Sequence, residues 1–267
     1  MSQEIAGLLE KKYLQFNEPG FLSDDPVSIP HRFDTLQDIE IVGFWTAVLA
    51  WGQRKTIIRS AETLIGLMDG APLDFVRNHE EKDRKRFEGF KHRTFQYLDT
   101  LYFLEFFQQY YRNHNSLEDA FARFLHAEDP TVEPALIGFH ELFFSLPEAP
   151  KRTKKHVPTP KKNASCKRLN MFLRWMVRSD HRGVDFGLWK NIQTSQLLIP
   201  LDVHVERVAR RLGLLTRKQT DWKSVLELTD NLRTFDPTDP VKYDYALFGM
   251  GVLEKRVPFK GRNATPE

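Results

Sequence analysis

Cysteine is nearly absent from this sequence of 267 residues, which contains only Cys166. One thiol excludes a disulfide framework, a four-cysteine iron–sulfur cluster and a cysteine zinc site. The longest apolar run, residues 41–51, is about half as long as a membrane-spanning helix requires. Residues 1–10 lack the basic and then apolar pattern of a signal peptide. We therefore expect a cytoplasmic protein with no metal, no redox cofactor and no membrane contact.

Acidic residues are missing from residues 149–179, which contain ten lysines and arginines. Because the formal net charge of the chain is +3 and these ten residues contribute +10, the rest of the chain carries −7. A basic block inside an otherwise acidic protein indicates a polyanionic partner. The alternative is a basic loop that only faces solvent.

Strict apolar–polar alternation, the pattern of a half-buried strand, is also absent, and apolar residues recur at helical spacing. We predict an all-α protein in which the polar, proline-containing residues 147–160 interrupt the series of helices. The 21 phenylalanines predict an aromatic core. The predicted helices cover residues 39–49, 57–67, 99–113, 116–126, 133–146, 167–178, 202–212, 221–233 and 241–253.

Residues 199–214, with the sequence IPLDVHVERVARRLGL, contain an amphipathic helix that begins after Asp202. A carboxylate at this position caps a helix by accepting backbone N–H bonds, and it is also available for catalysis. Asp202 and His204 could be metal ligands, but two ligands without companions make a weak site, so we predict no metal.

Lys167 opens another predicted helix, where the helix dipole disfavours a positive charge. This placement favours the neutral, nucleophilic amine, whereas the alternative is a lysine that binds phosphate or faces solvent.

A third segment, residues 47–56, joins two helices through a polar turn. Gln53, Arg54 and Lys55 in this turn suit contact with bases and phosphates, although many helical hairpins have such a turn.

Together, these three segments resemble the helix-hairpin-helix superfamily of DNA glycosylases. Lys167 and residues 199–214 are most similar to the archaeal 8-oxoguanine glycosylase branch, in which a lysine opens one helix and an Ile-Pro-Val/Leu-Asp stretch opens the catalytic one. Residues 167–177, 200–213 and 243–252 carry the similarity, which extends to an uncharacterised bacterial family of this superfamily.

The resemblance implies a catalytic role for two residues. Lys167 would attack C1′ of a damaged nucleoside and form a Schiff base that permits strand cleavage. Asp202 would stabilise positive charge on the sugar or help to deprotonate the attacking group. Gln53 would fill the gap left by the flipped nucleotide. The implied DNA contacts are Gln53, Arg54, Lys55, Lys161, Lys162 and Arg168, and the implied base pocket contains Trp51, Trp189 and His204. The alternative for Trp51 and Trp189, which we favour, is that both are aromatic residues of the core.

The implied fold has two helical lobes with a cleft between them. Residues 36–180 would form a helical bundle, and residues 1–35 together with 181–267 would form the second lobe of a single glycosylase-like unit. The implied substrate is double-stranded DNA with a damaged base, and an oxidised purine is the leading candidate. We expect a nucleoid-associated monomer that needs no cofactor.

The sequence departs from the superfamily at residues 159–166, where the expected glycine-rich, phosphate-binding hairpin contains no glycine. Side-chain charge would then replace backbone amides as the phosphate clamp, or DNA docking is lost or altered. Lys161 and Lys162 are rival candidates for the nucleophile. Two other functions stay open, namely a DNA-binding protein without catalysis and a small-molecule enzyme or protein-interaction module.

Overall fold

The protein is built from α-helices. The computed structural model describes residues 3–20 and 25–252, and these residues contain no strand, only one isolated bridge between His92 and Phe95. The all-α prediction is therefore confirmed. The helices are α1 Gln3–Phe16, α2 Leu36–Leu49, α3 Arg54–Leu67, α4 Pro72–Asn78, α5 Tyr97–Asn113, α6 Glu118–Ala122, α7 Glu133–Phe143, α8 Lys167–Val177, α9 Val203–Arg211, α10 Trp222–Arg233 and α11 Tyr243–Val252.

Helix α2 lies in the core because apolar residues cover its whole circumference, and a helix of this kind must be buried on all sides. Every residue from Ile39 to Leu49 is buried. The helix begins after Thr35, whose side chain accepts a hydrogen bond from the backbone N–H of Asp38. Phe44 packs against five rings from α5, α7 and α8 with centroid distances of 5.4–5.9 Å, as the phenylalanine content predicted; these rings are Phe103, Phe107, Phe139, Phe143 and Phe172.

The buried carboxylate of Glu40 in α2 joins several elements. Its Oε1 accepts hydrogen bonds from Trp189 Nε1 at 2.7 Å and Ser116 Oγ at 2.6 Å. Its Oε2 accepts from the Tyr111 hydroxyl and the Leu117 backbone N–H, both at 2.9 Å. Burial raises the pKa of Glu40, and the four hydrogen bonds oppose that rise.

The helices nearest to the two ends of the chain pack together, since α1 lies along α11 and α11 lies along α9. Glycine permits this close approach. A Cβ atom on Gly249 would overlap the ring of Phe16 in α1, and one on Gly251 would lie 2.8 Å from the carbonyl oxygen of His204 in α9. Helix α1 was not among the predicted helices.

The segment that interrupts the predicted helices is folded back onto the core. It contains a 3-10 turn at Lys151–Lys155, from which Arg152 donates a hydrogen bond of 2.6 Å to Asp99 Oδ2 at the start of α5.

The helix predicted at residues 116–126 is shorter than expected, because the regular α-helix is confined to Glu118–Ala122.

One cluster of buried apolar side chains extends from Leu9 in α1 to Met250 in α11. This cluster includes residues from both predicted lobes. The division of the chain into one lobe at residues 36–180 and a second lobe therefore remains a prediction. In the part of the chain that the structure describes, every helix is too short or too polar to cross a bilayer.

Candidate functional site

A pocket of about 670 Å³ lies where α8, α9 and α11 meet the turn between α2 and α3. Its walls contain both predicted catalytic residues, Lys167 and Asp202. Trp51 and His204, two of the three predicted base-pocket residues, also line it. The fold therefore brings together residues that are far apart in the sequence.

Helix α8 contributes Lys167, Met171 and Arg174 to the pocket. Residues spaced by three or four positions lie on one face of a helix, so these three form a row that runs from the pocket rim inwards. The Lys167 Nζ atom lies 3.6 Å from Met171 Sδ. The lysine side chain is 24% exposed, which leaves the amine accessible from the pocket.

Asp202 has a structural contact and a pocket-facing contact at the same time. Its Oδ1 accepts the backbone N–H groups of His204 at 2.9 Å and Val205 at 3.0 Å, which caps helix α9. Its Oδ2 lies 4.0 Å from Lys167 Nζ. The capping and catalytic interpretations of the sequence are thus compatible, because each uses a different carboxylate oxygen.

Asp244 and Arg174 form a buried ion pair at the inner end of the pocket. Arg174 Nη1 donates a hydrogen bond to Asp244 Oδ2, and the other carboxylate oxygen is buried with no hydrogen-bond partner among the described residues. Burial raises the pKa of Asp244 to about 7, while Arg174 opposes the rise. Arg174 is held from its far side by Asp185, whose Oδ1 accepts from Arg174 Nε at 3.2 Å.

Aromatic rings line two parts of the pocket and each contacts an arginine. The guanidinium of Arg93 lies 4.7 Å from the ring centroid of Trp51. The guanidinium of Arg54 lies 5.0 Å from the centroid of Phe248 and 3.8 Å from Asp25 Oδ2. Burial raises the pKa of Asp25, and Arg54 opposes this effect.

The other predicted DNA contacts fall into two groups. Gln53 and Lys55 are exposed at the start of α3, and Lys161 and Lys162 are exposed on a separate 3-10 turn, where Lys161 pairs with Glu141. None of these four lysine or glutamine side chains lines the pocket within the described residues.

Two predictions require correction. Trp189 does not line the pocket but lies in the core, which was the alternative for this residue, because it is 1% exposed and its indole N–H is bonded to Glu40. Arg168 lines the pocket, but its guanidinium donates to the backbone carbonyls of Val48 and Lys155. Burial lowers its pKa to about 10. Arg168 therefore ties α8 to the end of α2 instead of presenting a free cation to DNA.

The basic block is also less available than its sequence indicated. Arg174 and Arg178 are buried and share Asp185 as an ion-pair partner, and Arg152 is bound to Asp99. These three of the ten cations in the basic block are therefore neutralised by carboxylates of the protein, and the polyanionic partner stays a prediction that depends on the others.

The glycine-free segment forms a tight turn despite its composition. Asn163 and Cys166 adopt left-handed backbone conformations with φ of 56° and 49°, which non-glycine residues adopt infrequently. The Asn163 side chain donates to Asp221 Oδ2 at 3.0 Å, and its carbonyl accepts from the Trp222 N–H at 3.2 Å. Burial raises the pKa of Cys166 to about 12, so its thiol is not a nucleophile near neutral pH.

Sequence reasoning missed Asp25, Arg174, Asp244 and Tyr245 as pocket residues. Arg174 was detectable in principle because it lies seven positions after Lys167 on the same helix face. Asp244 and Tyr245 lie in the run at residues 243–252 that carried part of the resemblance. Nothing in the sequence near Asp25 indicates that it reaches the same pocket.

The described residues contain no group of three or more His, Cys, Asp or Glu side chains that could hold a metal ion.

The model of the family DUF2400, which is described as a protein of unknown function, matches residues 25–253. The chain therefore belongs to this family. No curated protein and no solved structure matches the chain.

Proposed function

We propose that the protein is a DNA glycosylase that removes a damaged base and cleaves the strand through a lysine Schiff base. The observation that carries this proposal is the 4.0 Å approach of Lys167 Nζ to Asp202 Oδ2 in the wall of the pocket. A carboxylate beside an amine provides the nucleophile and the proton acceptor that this reaction requires.

In the proposed reaction, Asp202 accepts a proton from the Lys167 ammonium, and the neutral amine attacks C1′ of the nucleotide. The bond from C1′ to the base breaks, its electron pair leaves with the base, and the base takes the proton from Asp202. Asp202 then takes a second proton from the lysine nitrogen and delivers it to the sugar ring oxygen as the ring opens. The product is a protonated Schiff base, from which elimination cleaves the strand.

The dimensions of the pocket support a single flipped nucleoside as the substrate. A volume of about 670 Å³ falls within the range of roughly 300–1,000 Å³ for small-molecule sites. A glycosidic bond is inaccessible inside a stacked duplex, so the nucleotide must leave the helix before reaction. Trp51 and Phe248 in the walls supply surfaces on which a base can stack.

The arrangement of elements around the pocket also supports the two-lobed glycosylase-like fold that we propose. Lys167 and Trp51 belong to the proposed lobe at residues 36–180, whereas Asp202, His204 and Phe248 belong to the other. On this proposal the protein acts as a monomer on nucleoid DNA in the cytoplasm. The choice of an oxidised purine derives from the resemblance of Lys167 and residues 199–214 to the archaeal 8-oxoguanine branch.

The test is base excision from end-labelled duplexes that each contain one lesion, namely 8-oxoguanine, uracil, a methylated purine or an abasic site. Each reaction is analysed with and without hot alkali, which separates base loss from strand cleavage. We expect cleavage without alkali that disappears in Lys167→Ala. Cleavage that needs alkali and is lost only in Asp202→Asn would instead assign the attack to water.

The matched control is Lys162→Ala, because Lys162 is one of the two exposed rival lysines on the preceding turn and, unlike Lys161, does not pair with Glu141. We expect this variant to retain strand cleavage. Loss of cleavage in Lys162→Ala with retention in Lys167→Ala would contradict the assignment of the nucleophile. Binding without excision of any lesion would favour the alternative of a non-catalytic DNA-binding protein.

A further inference from the structure

A second depression of about 360 Å³ lies beside helix α3 and is lined by a set of basic and hydroxyl side chains. We call it the α3 groove. One wall is a face of α3, and the other is the segment after the 3-10 turn Glu81–Phe87. The α3 groove is lined by Thr56, Arg59, Ser60, Thr63, Leu67, Arg86, Gly89, Phe90, Lys91, His92 and Arg93.

The α3 groove is strongly positive. Its lining contains four arginines and lysines and, among the residues that the structure describes, no aspartate or glutamate. Arg86 is neutralised by Asp69 at 2.7 Å. Arg59, Lys91 and Arg93 are exposed, and no carboxylate of the described residues lies within ion-pair distance of them. The α3 groove therefore presents three exposed cations that have no ion-pair partner among the described residues.

The α3 groove adjoins the main pocket through Trp51 and Gly52. The buried ring of His92 connects them, because its Nδ1 lies 2.9 Å from Ser60 Oγ and its Nε2 lies 3.3 Å from the Trp51 carbonyl oxygen. Arg93 covers the Trp51 ring and packs so closely on Gly52 that a Cβ atom there would lie 2.9 Å from Arg93 Nη1. A nucleic acid strand that enters the pocket over Trp51 would therefore pass the α3 groove.

The side chains of the α3 groove suit contact with a phosphodiester backbone. Arginine, lysine, serine and threonine donate hydrogen bonds to phosphate oxygens. The lining of the groove contains all four of these residue types. Burial lowers the pKa of His92, so the three exposed cations supply the charge near neutral pH.

We propose that the α3 groove binds the DNA backbone next to the nucleotide that enters the main pocket, with Arg59 and Lys91 as its phosphate contacts. This inference rests on the proposed function for the identity of the nucleic acid. It adds Arg59 and Lys91, which are not among the DNA contacts implied by the resemblance, to the surface that begins at the turn containing Gln53.

The test is binding of a fluorescein-labelled DNA duplex with a tetrahydrofuran abasic analogue, measured by anisotropy over a range of KCl concentrations. The double variant Arg59→Ala/Lys91→Ala removes the two contacts. Since each phosphate contact contributes about 0.9 to the slope of log Kobs against log salt concentration, we expect the slope to fall by close to two. The charge-preserving variant Arg59→Lys/Lys91→Arg should retain most of the slope.

The matched control is Lys11→Ala/Lys223→Ala, which removes the same net charge from exposed positions on α1 and α10. Circular dichroism and thermal unfolding verify that all variants are folded. Equal salt slopes for the groove variant and the control would overturn the proposal, as would a loss confined to an RNA duplex of the same length. Because binding is measured without excision, failure of the glycosylase assay leaves this result interpretable.

Discussion

Asp202 caps helix α9 with one carboxylate oxygen and directs the other toward Lys167, with Oδ2 lying 4.0 Å from the lysine Nζ. The two functions of this side chain are therefore separable by mutation. The cap requires only an acceptor at Oδ1, whereas proton transfer requires an ionisable oxygen at Oδ2. This division makes Asp202 the most informative position in the pocket.

Asp202→Asn should abolish most of the excision activity and leave the fold intact. The asparagine carbonyl can still accept the N–H groups of His204 and Val205, so the stability should change little. Loss of the proton acceptor should reduce the single-turnover rate by about 100-fold or more. The measurements are excision on the lesion that the wild type cleaves and the free energy of unfolding in urea.

Asp202→Ala is the control that removes both functions. It should lose activity to the same extent as Asp202→Asn and also lose about 1 kcal/mol of stability, because the cap of α9 is missing. Full activity in Asp202→Asn would contradict the catalytic role and leave Asp202 with the capping role alone.

The stability of the protein should decrease between pH 5 and pH 8 through Asp244. Burial raises its pKa from 3.8 to about 7, so the folded state holds a proton that the unfolded state has released over this range. Stability from this group is therefore fully present below about pH 4 and lost as the pH rises through 7. Between pH 5 and the folded-state pKa of about 7, which is two pH units, the free energy of unfolding should fall by at most about 3 kcal/mol.

Asp244→Asn removes this titration and keeps an acceptor for Arg174. Urea unfolding at several pH values should show that the wild type loses stability relative to the variant as the pH rises from 5 to 8. Asp230→Asn on the exposed side of α10 is the control. Parallel pH profiles for the wild type and Asp244→Asn would show that the carboxyl is already ionised at pH 5.

The sequence predicted most of the helices because their apolar faces and caps are local signals. It also predicted that Lys167 and Asp202 belong to one site, although only through the resemblance, since 35 residues separate them. The tertiary pairing of Glu40 with Trp189 has no local signal, so the sequence left both a base-pocket position and a core position open for Trp189. Likewise, the number of charged residues in a segment does not show that Arg174 and Arg178 both form ion pairs with Asp185.

Glu40→Gln should destabilise the protein by about 2–4 kcal/mol. Each carboxylate oxygen accepts two hydrogen bonds, and a glutamine amide nitrogen would face two donors at one of these positions. A buried donor without an acceptor costs about 1–3 kcal/mol. Urea unfolding followed by tryptophan fluorescence measures the loss, because Trp189 is one of the donors.

The control for this substitution is Glu62→Gln, which removes an exposed carboxylate from an ion pair with Arg32 at 2.8 Å. Exposed ion pairs contribute at most about 1 kcal/mol, so this variant should be close to the wild type. If Glu40→Gln is as stable as Glu62→Gln, the buried carboxylate network is not a source of stability.

Alanine should have opposite effects at two helical glycines. In Gly251→Ala the new Cβ would lie 2.8 Å from the carbonyl oxygen of His204 and 2.9 Å from its Cβ, so α11 must move away from α9. Overpacking of this kind costs about 1–3 kcal/mol. A Cβ atom on Gly66 in α3 would have no neighbouring atom within 4 Å, so Gly66→Ala should instead stabilise the protein by up to about 1 kcal/mol.

The two glycine variants also test whether the pocket depends on the contact between α9 and α11. His204 and Asp202 at the start of α9 line the pocket together with Phe248 of α11, so a shift between these helices should change the geometry around Asp202. We expect Gly251→Ala to reduce the excision rate even at temperatures where it is fully folded, and Gly66→Ala to retain the wild-type rate. Equal rates and equal stabilities for both variants would show that the close contact at Gly251 relaxes without moving α9.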